Sequence, residues 1–266
     1  MKICLGPAGS PAKSTIDGLP AVRELGLQAM EVEFTHGIKM NLPLARQIGK
    51  ENEKYRIQLS IHAPYFINLA SEELAKRNAS KKRILDSCER ANLLGANVVV
   101  FHAAYYGKKS REETYRIVRE EMLDMMKIIR KNRWNVNLAP ETTGKIFQFG
   151  TLDEIIKLVK DMHCSFCLDC AHIYARNQGK MDYKEIFDKL KPLKLKDLHC
   201  HFSNITYTSK GERMHLNLDS KPDFKGFAKQ ILKRKINTTI ISESPITWKD
   251  SLKMKHIFEN LGYKFR

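Results

Sequence analysis

No stretch of about 18 consecutive apolar residues occurs in this 266-residue chain, so a bilayer-spanning helix is excluded. The opening MKICLGPAGSPAK lacks a signal-peptide apolar core followed by a cleavage site, and a cytoplasmic location is expected. Cysteine is sparse and carries no framework. Of Cys4, Cys88, Cys164, Cys167, Cys170 and Cys200, most fall in or beside strand-like runs, where a reduced thiol packs as a small apolar group. Cys164, Cys167 and Cys170 have C-x2-C spacing, but no second such pair follows, and an extended strand alternates their faces, so a cluster site is not expected. No low-complexity linker divides the sequence, and an apolar content of 42% suffices for one large core, so a single domain over 1–266 is expected. Acid is scarce beside base. With 46 Lys plus Arg against 30 Asp plus Glu the net charge is +16, which favours a polyanionic partner through counterion release, the alternative being a surface tuned for solubility.

What is present is a repeat. Eight short apolar, often β-branched runs can be marked at about 2–5, 29–34, 57–62, 97–102, 136–141, 165–169, 197–202 and 238–243, as expected of strands buried on both faces. Segments of helical period lie between them, most clearly at 71–94, 111–131, 151–159, 182–190, 223–234 and 248–261. Ser71, Ser110 and Thr151 are placed as N-caps, the last two with glutamate three residues on, and Gly95 and Gly262 as left-handed helix ends. Eightfold βα alternation predicts a (β/α)8 TIM barrel rather than a doubly wound open sheet. The segment 203–222 is the longest departure from the repeat, and loops of that length are usually functional.

Five of the nine histidines and four acids recur at the downstream ends of these runs: His62, His102, Glu141, Asp169, His172, His201 and Glu243, with Glu212 and His215 in the long loop. That is the rim where such barrels keep their chemistry. A lone histidine there is most often a packed, hydrogen-bonded residue, but ligand-type residues at six strand ends together predict a metal site with more than one ion. Nitrogen and oxygen donors without thiolates suit zinc, manganese or iron.

In order along the chain, IHAPYFINLAS, FHAAYYGK, PETTGKIFQFG, CLDCAHIYARN, HCHFSN, GERMH and SESP resemble the endonuclease IV family of apurinic/apyrimidinic (AP) endonucleases, within the xylose-isomerase-like barrels. The resemblance covers nearly the whole chain. It implies that His62 and His102 hold one ion, that Glu141 bridges it to a second, and that Asp169, His201 and Glu243 complete the second site. His172 would hold a third ion with the loop after the seventh strand. There the family has D-x-H and this chain offers Glu212, Met214 and His215, so the third site needs an altered geometry. Pro7 is a second departure, standing where the family often has histidine.

The resemblance further implies two or three zinc ions, double-stranded DNA bearing abasic sites as substrate, and hydrolysis 5′ to the lesion that leaves a 3′-hydroxyl. No membrane is involved, and a monomer is expected. Two ions about 3.5–4 Å apart activate water and neutralise a phosphodiester, so the lack of an evident Ser or Cys nucleophile is no objection. Tyr65 stands where the family inserts side chains into the DNA stack, the alternative being a rim aromatic packed on the next loop. His36, Asn68, Tyr105, Lys108 and Lys145 are candidate DNA contacts. One rival is a sugar isomerase or epimerase, with a single ion on Glu141, Asp169, His201 and Glu243. The other is a non-catalytic nucleic-acid-binding barrel. The additional histidines and the basic surface speak against the first, and the complete ligand set against the second.

Overall fold

Branched apolar residues such as those of VVVF favour extended backbone, and parallel strands covered on both faces can be apolar throughout. In the computed structural model, which describes residues 1–265, the eight runs form parallel strands β1 (Ile3–Pro7), β2 (Ala29–Glu33), β3 (Gln58–His62), β4 (Val98–Phe101), β5 (Asn137–Pro140), β6 (Cys167–Asp169), β7 (Asp197–Phe202) and β8 (Asn237–Ser242). Two four-stranded sheets result, β2-β3-β4-β5 and β6-β7-β8-β1. Single parallel bridges, Ala8 to Glu31 and Glu141 to Cys167, join them into a closed ring. The fold is the expected (β/α)8 barrel.

Helices α1 (Thr15–Glu24), α2 (Leu42–Tyr55), α3 (Leu74–Leu94), α4 (Arg111–Lys131), α5 (Leu152–Met162), α6 (Cys170–Arg176), α7 (Tyr183–Leu190), α8 (Phe224–Arg234) and α9 (Thr247–Asn260) surround the ring. Thr151 and Glu154 close a full capping box on α5, and Ser110 accepts from the Glu113 amide at the start of α4. Ser71 is not the cap of its helix. α3 begins at Leu74 with Glu73 at its head, and the Ser71 hydroxyl instead holds the Glu73 amide in the preceding turn. Two helices lack a strong apolar period in the sequence: α1 contains Gly18 and Pro20, and α2 buries only Ala45 and Ile48.

The main core lies between strands and helices, with Phe101, Phe187, Phe202, Phe227 and Phe258 among its fully buried members. Inside the ring the apolar content is thin. Cys4, Ala29 and Ile241 form one small cluster, and Val100, Ala139 and Cys167 another. Glu31, Ser60, His199 and His201 are buried polar side chains of the strands as well.

Candidate metal centre

Three of the expected ligands stand one residue past a strand end: His102 after β4, Glu141 after β5 and Glu243 after β8. His62, Asp169 and His201 are within the last two residues of β3, β6 and β7, and His172 lies in the first turn of α6. The side chains converge on Glu141, which is buried. Its Oε2 lies 3.3 Å from His62 Nε2 and 2.9 Å from His102 Nε2, and its Oε1 lies 3.0 Å from His201 Nδ1 and 3.4 Å from His172 Nδ1. His201 Nδ1 is also 3.1 Å from Glu243 Oε1.

These contacts resolve into sets whose donor atoms lie close enough together for one ion each: His62, His102 and Glu141; Glu141, Asp169, His201 and Glu243; and His172, His215 and Glu243. A further set joins His62, His201 and Glu243. Buried charges need partners, and protons on the imidazoles serve here. Burial opposes ionisation of Glu243, yet the imidazole of His201 takes its carboxyl down to about 2. Burial likewise disfavours charge on His62, yet Glu141 and Glu33 raise it to about 10. Asp169 is the exception. Burial outweighs His172 and pushes it up to about 8, and its Oδ2 has no hydrogen-bond partner among the described residues. An orphaned carboxylate oxygen among nitrogen and oxygen donors fits a divalent cation.

Backbone carbonyls orient two of the rings. His62 Nδ1 lies 2.8 Å from the oxygen of Ala63, and His172 Nδ1 lies 3.0 Å from that of Thr142, leaving His172 Nε2 facing Glu212 Oε2 at 3.1 Å. The long segment after β7 is a β-hairpin, Asn204–Thr208 with Gly211–Leu216. Its register explains how E-x-x-H replaces D-x-H. Glu212 pairs with Tyr207, Met214 with Thr206 and His215 with Ile205, so Arg213 is the extra residue of a bulge. Glu212 and His215 therefore share one face, toward His172, while Met214 takes the other and is 57% exposed. The Ser203 hydroxyl lies 2.8 Å from His215 Nδ1, and the Gly144 amide donates to Glu212 Oε2 at 3.1 Å. A Cβ on Gly144 would collide with the Glu212 carboxylate, so glycine is required there.

A model described as xylose isomerase-like TIM barrel matches residues 19–258. The chain belongs to the xylose isomerase-like TIM barrel family. An uncharacterized protein of Methanocaldococcus jannaschii is 34% identical over 97% of this chain and 98% of its own length. A probable endonuclease 4 of Mycobacterium leprae is 25% identical over 80% of this chain and 82% of that one. Among solved structures, endonuclease IV of Thermus thermophilus superposes with a TM-score of 0.73 at 20% identity, covering 98% of both chains. A D-tagatose 3-epimerase-like protein gives 0.74 at 18% identity, covering 98% of this chain and 96% of that one. The same fold thus serves differently named enzymes, and the side chains must decide.

Around the rim of this xylose isomerase-like barrel, the candidate DNA contacts divide. Tyr65 is 53% exposed with its ring 6.1 Å from that of His62, and Phe66 beside it is 71% exposed. His36 and Lys108 are exposed, and Lys145 is half-buried with its ammonium 3.7 Å from Glu212. Tyr105 stacks on the exposed Phe147 at 6.0 Å. The Asn68 carbonyl is spent internally, accepting from the amides of Ala70 and Tyr105, so Asn68 ties two loops together. Arg176 does the same for the loop after β5, donating to the carbonyls of Thr143, Lys145, Ile146 and Gln148. A groove of about 900 Å³ lies on the flank, where its charges pair with one another, as Lys157 does with Glu112 and Lys189 with Asp153.

Sequence reasoning overlooked Glu31, Glu33 and His199. Glu33 lines the rim cavity with His62, Tyr65, His102 and Glu243; its Oε1 has no hydrogen-bond partner among the described residues, and burial pushes it up to about 8. The available signal was the alternation in AMEVE and DLHCHF, which puts both acids, and both histidines, on one face of a strand.

Proposed function

We propose that the protein is a metal-dependent phosphodiesterase, an endonuclease of base excision repair that cuts DNA 5′ to an abasic site and leaves a 3′-hydroxyl. The observation that carries this reading is Glu141, whose two oxygens are divided between His62 and His102 on one side and His201 and His172 on the other. That division suits a carboxylate shared between two ions. The ligands would be His62, His102 and Glu141 for one, and Glu141, Asp169, His201 and Glu243 for the next. Glu212 and His215 would join His172 at a third. The nitrogen and oxygen donors suit zinc, with manganese or iron as alternatives.

Bound there, such ions supply the neutralisation of a phosphodiester and the acidification of a water that hydrolysis requires. The remaining contributions belong to the chain. Glu141 fixes the spacing of the two ligand groups, and Tyr65 and Phe66 stand beside the centre as wedges against the stacked bases. The rim cavity is about 170 Å³, below the roughly 300 Å³ where drug-sized pockets begin. A sugar-phosphate unit without its base would be the occupant in this reading, and extruding an abasic residue costs less than extruding a paired one. His36, Tyr105, Lys108 and Lys145 would meet the backbone of a duplex bound by a monomer, and Asn68 would position Tyr105.

The epimerase reading keeps one observation in its favour: Glu141, Asp169, His201 and Glu243 alone form a one-ion set. It leaves His62 and His102 without a task. Incubation with a duplex carrying one abasic site, beside an undamaged duplex, with and without chelator, separates the readings. Chelator-sensitive incision confined to the 5′ side of the lesion is expected. Failure to incise by protein carrying two or more metals would overturn the assignment to abasic DNA.

A further inference from the structure

Two of the imidazoles at the centre have their second nitrogen hydrogen-bonded, and a third has a carboxylate beside it. His62 and His172 are hydrogen-bonded to backbone carbonyls, whereas His201 Nε2 faces a carboxylate oxygen and has no other partner among the described residues. Glu31, in the middle of β2, reaches across the ring interior, and its Oε1 lies 2.8 Å from His201 Nε2. Both side chains are fully buried. The other oxygen, Oε2, accepts the Ser60 hydroxyl at 2.6 Å and lies 3.0 Å from His199 Nε2. Ser60 faces Glu31 directly in the β2–β3 register, and His199 and His201 alternate onto one face of β7.

An ionised carboxylate only accepts hydrogen bonds; Ser60 and His199 meet Oε2 of Glu31, while Oε1 and His201 Nε2, 2.8 Å apart, have no other partner among the described residues. A neutral His201 that gives its Nε2 proton to Glu31 leaves Nδ1 bare, and Nδ1 is the atom facing Glu141 and Glu243. Cys167, His199 and His201 also lie close enough to hold an ion, but the Glu31 carboxylate lies within 3.0 Å of the Nε2 atoms of both histidines. Glu31 therefore backs the centre through His201, and these three residues are not a separate site.

We propose that Glu31 is a positioning residue for the metal centre, fixing the tautomer and orientation of His201 so that Nδ1 is its ligand atom. The inference rests on the metal-dependent reading but not on the identity of the substrate. Partners behind a metal-bound histidine typically govern affinity by about 10–100-fold.

The test compares Glu31→Gln and Glu31→Leu with His199→Phe, all checked for fold by circular dichroism. Glutamine brings an amide donor into a space that holds donors on all sides, so one imidazole must turn over its proton. Leucine removes the acceptor altogether. Zinc affinity by chelator competition is expected to fall about 10–100-fold in both Glu31 variants. His199→Phe, which spares the His201 contact, is expected to leave it unchanged. Long-range proton–nitrogen spectra of the zinc-loaded parent should show the His201 proton on Nε2. Undiminished affinity in Glu31→Leu, equal loss in His199→Phe, or the proton found on Nδ1 would each overturn the proposal. A parent that binds zinc without cutting abasic DNA would overturn the substrate assignment and leave Glu31 in place. A parent that binds no metal would overturn both.

Discussion

Glu141 has four imidazoles within 3.4 Å, and no single substitution should do more harm. Glu141→Gln keeps the shape and removes the charge that two ligand groups share. Metal content should fall toward zero and incision by more than about 100-fold, since even an outer partner of a ligand is worth about 10–100-fold. Metal analysis beside a gel assay checks both. Tyr65→Ala should leave metal content intact and narrow the preference for damaged over undamaged duplex, read as the ratio of kcat/KM values. Glu33 carries a prediction of another kind. Burial raises it to about 8, so the metal-free fold retains a proton there that the unfolded chain releases near its ordinary value. Stability from this group is full below about pH 4.3 and is lost as pH rises through about 8. Glu33→Gln should flatten that decline, leaving the part due to Asp169, in urea unfolding followed with chelator present. The expected ligand positions are legible in sequence because they end apolar runs or follow them in the next loop. Glu31, Glu33 and His199 are less so, because alternation within a buried strand looks the same whether a polar residue faces the ring or a helix.

At the level of elements, the hairpin after β7 turns on one residue. Because Arg213 is the bulged position, its deletion should yield a regular ladder with Glu212 and His215 still on the face toward His172. Insertion of one residue between Met214 and His215 should turn one of them outward and cost the third ion. Counting zinc per chain in the two variants tests this register. Sequence spacing alone could not settle the question, since i and i+3 lie on opposite faces of a regular strand and only the bulge reunites them. A similar lesson comes from the caps. Thr151 and Glu154 form the box their spacing implies, and Thr151→Ala should cost about 1 kcal/mol in unfolding free energy. Ser71, without a glutamate three residues on, stands before a helical run as a cap would, yet the chain makes a turn before α3 begins, and its hydroxyl is consumed there. The strands were legible as short branched runs, whereas α1 and α2 were obscured by Gly18, Pro20 and a thin apolar face.

For the whole molecule, the net charge of +16 makes salt the natural probe of a polyanionic partner. If about 6–10 phosphates are met, affinity for duplex DNA should drop on the order of 10³–10⁵-fold between roughly 50 and 200 mM salt. Metal binding at the buried centre should change far less over that range. The ring itself has a weak point that the proposed cofactor would reinforce. Its two half-sheets meet at single bridges, one of them at Glu141. His62 and His102 belong to one half, and Asp169, His201 and Glu243 to the other, with Glu141 at the joint. Ions held between them would act as rivets across a seam, so demetallation should loosen that seam first. The Thr142 amide, which crosses it to the Cys167 carbonyl, would then exchange its hydrogen ahead of amides inside either half.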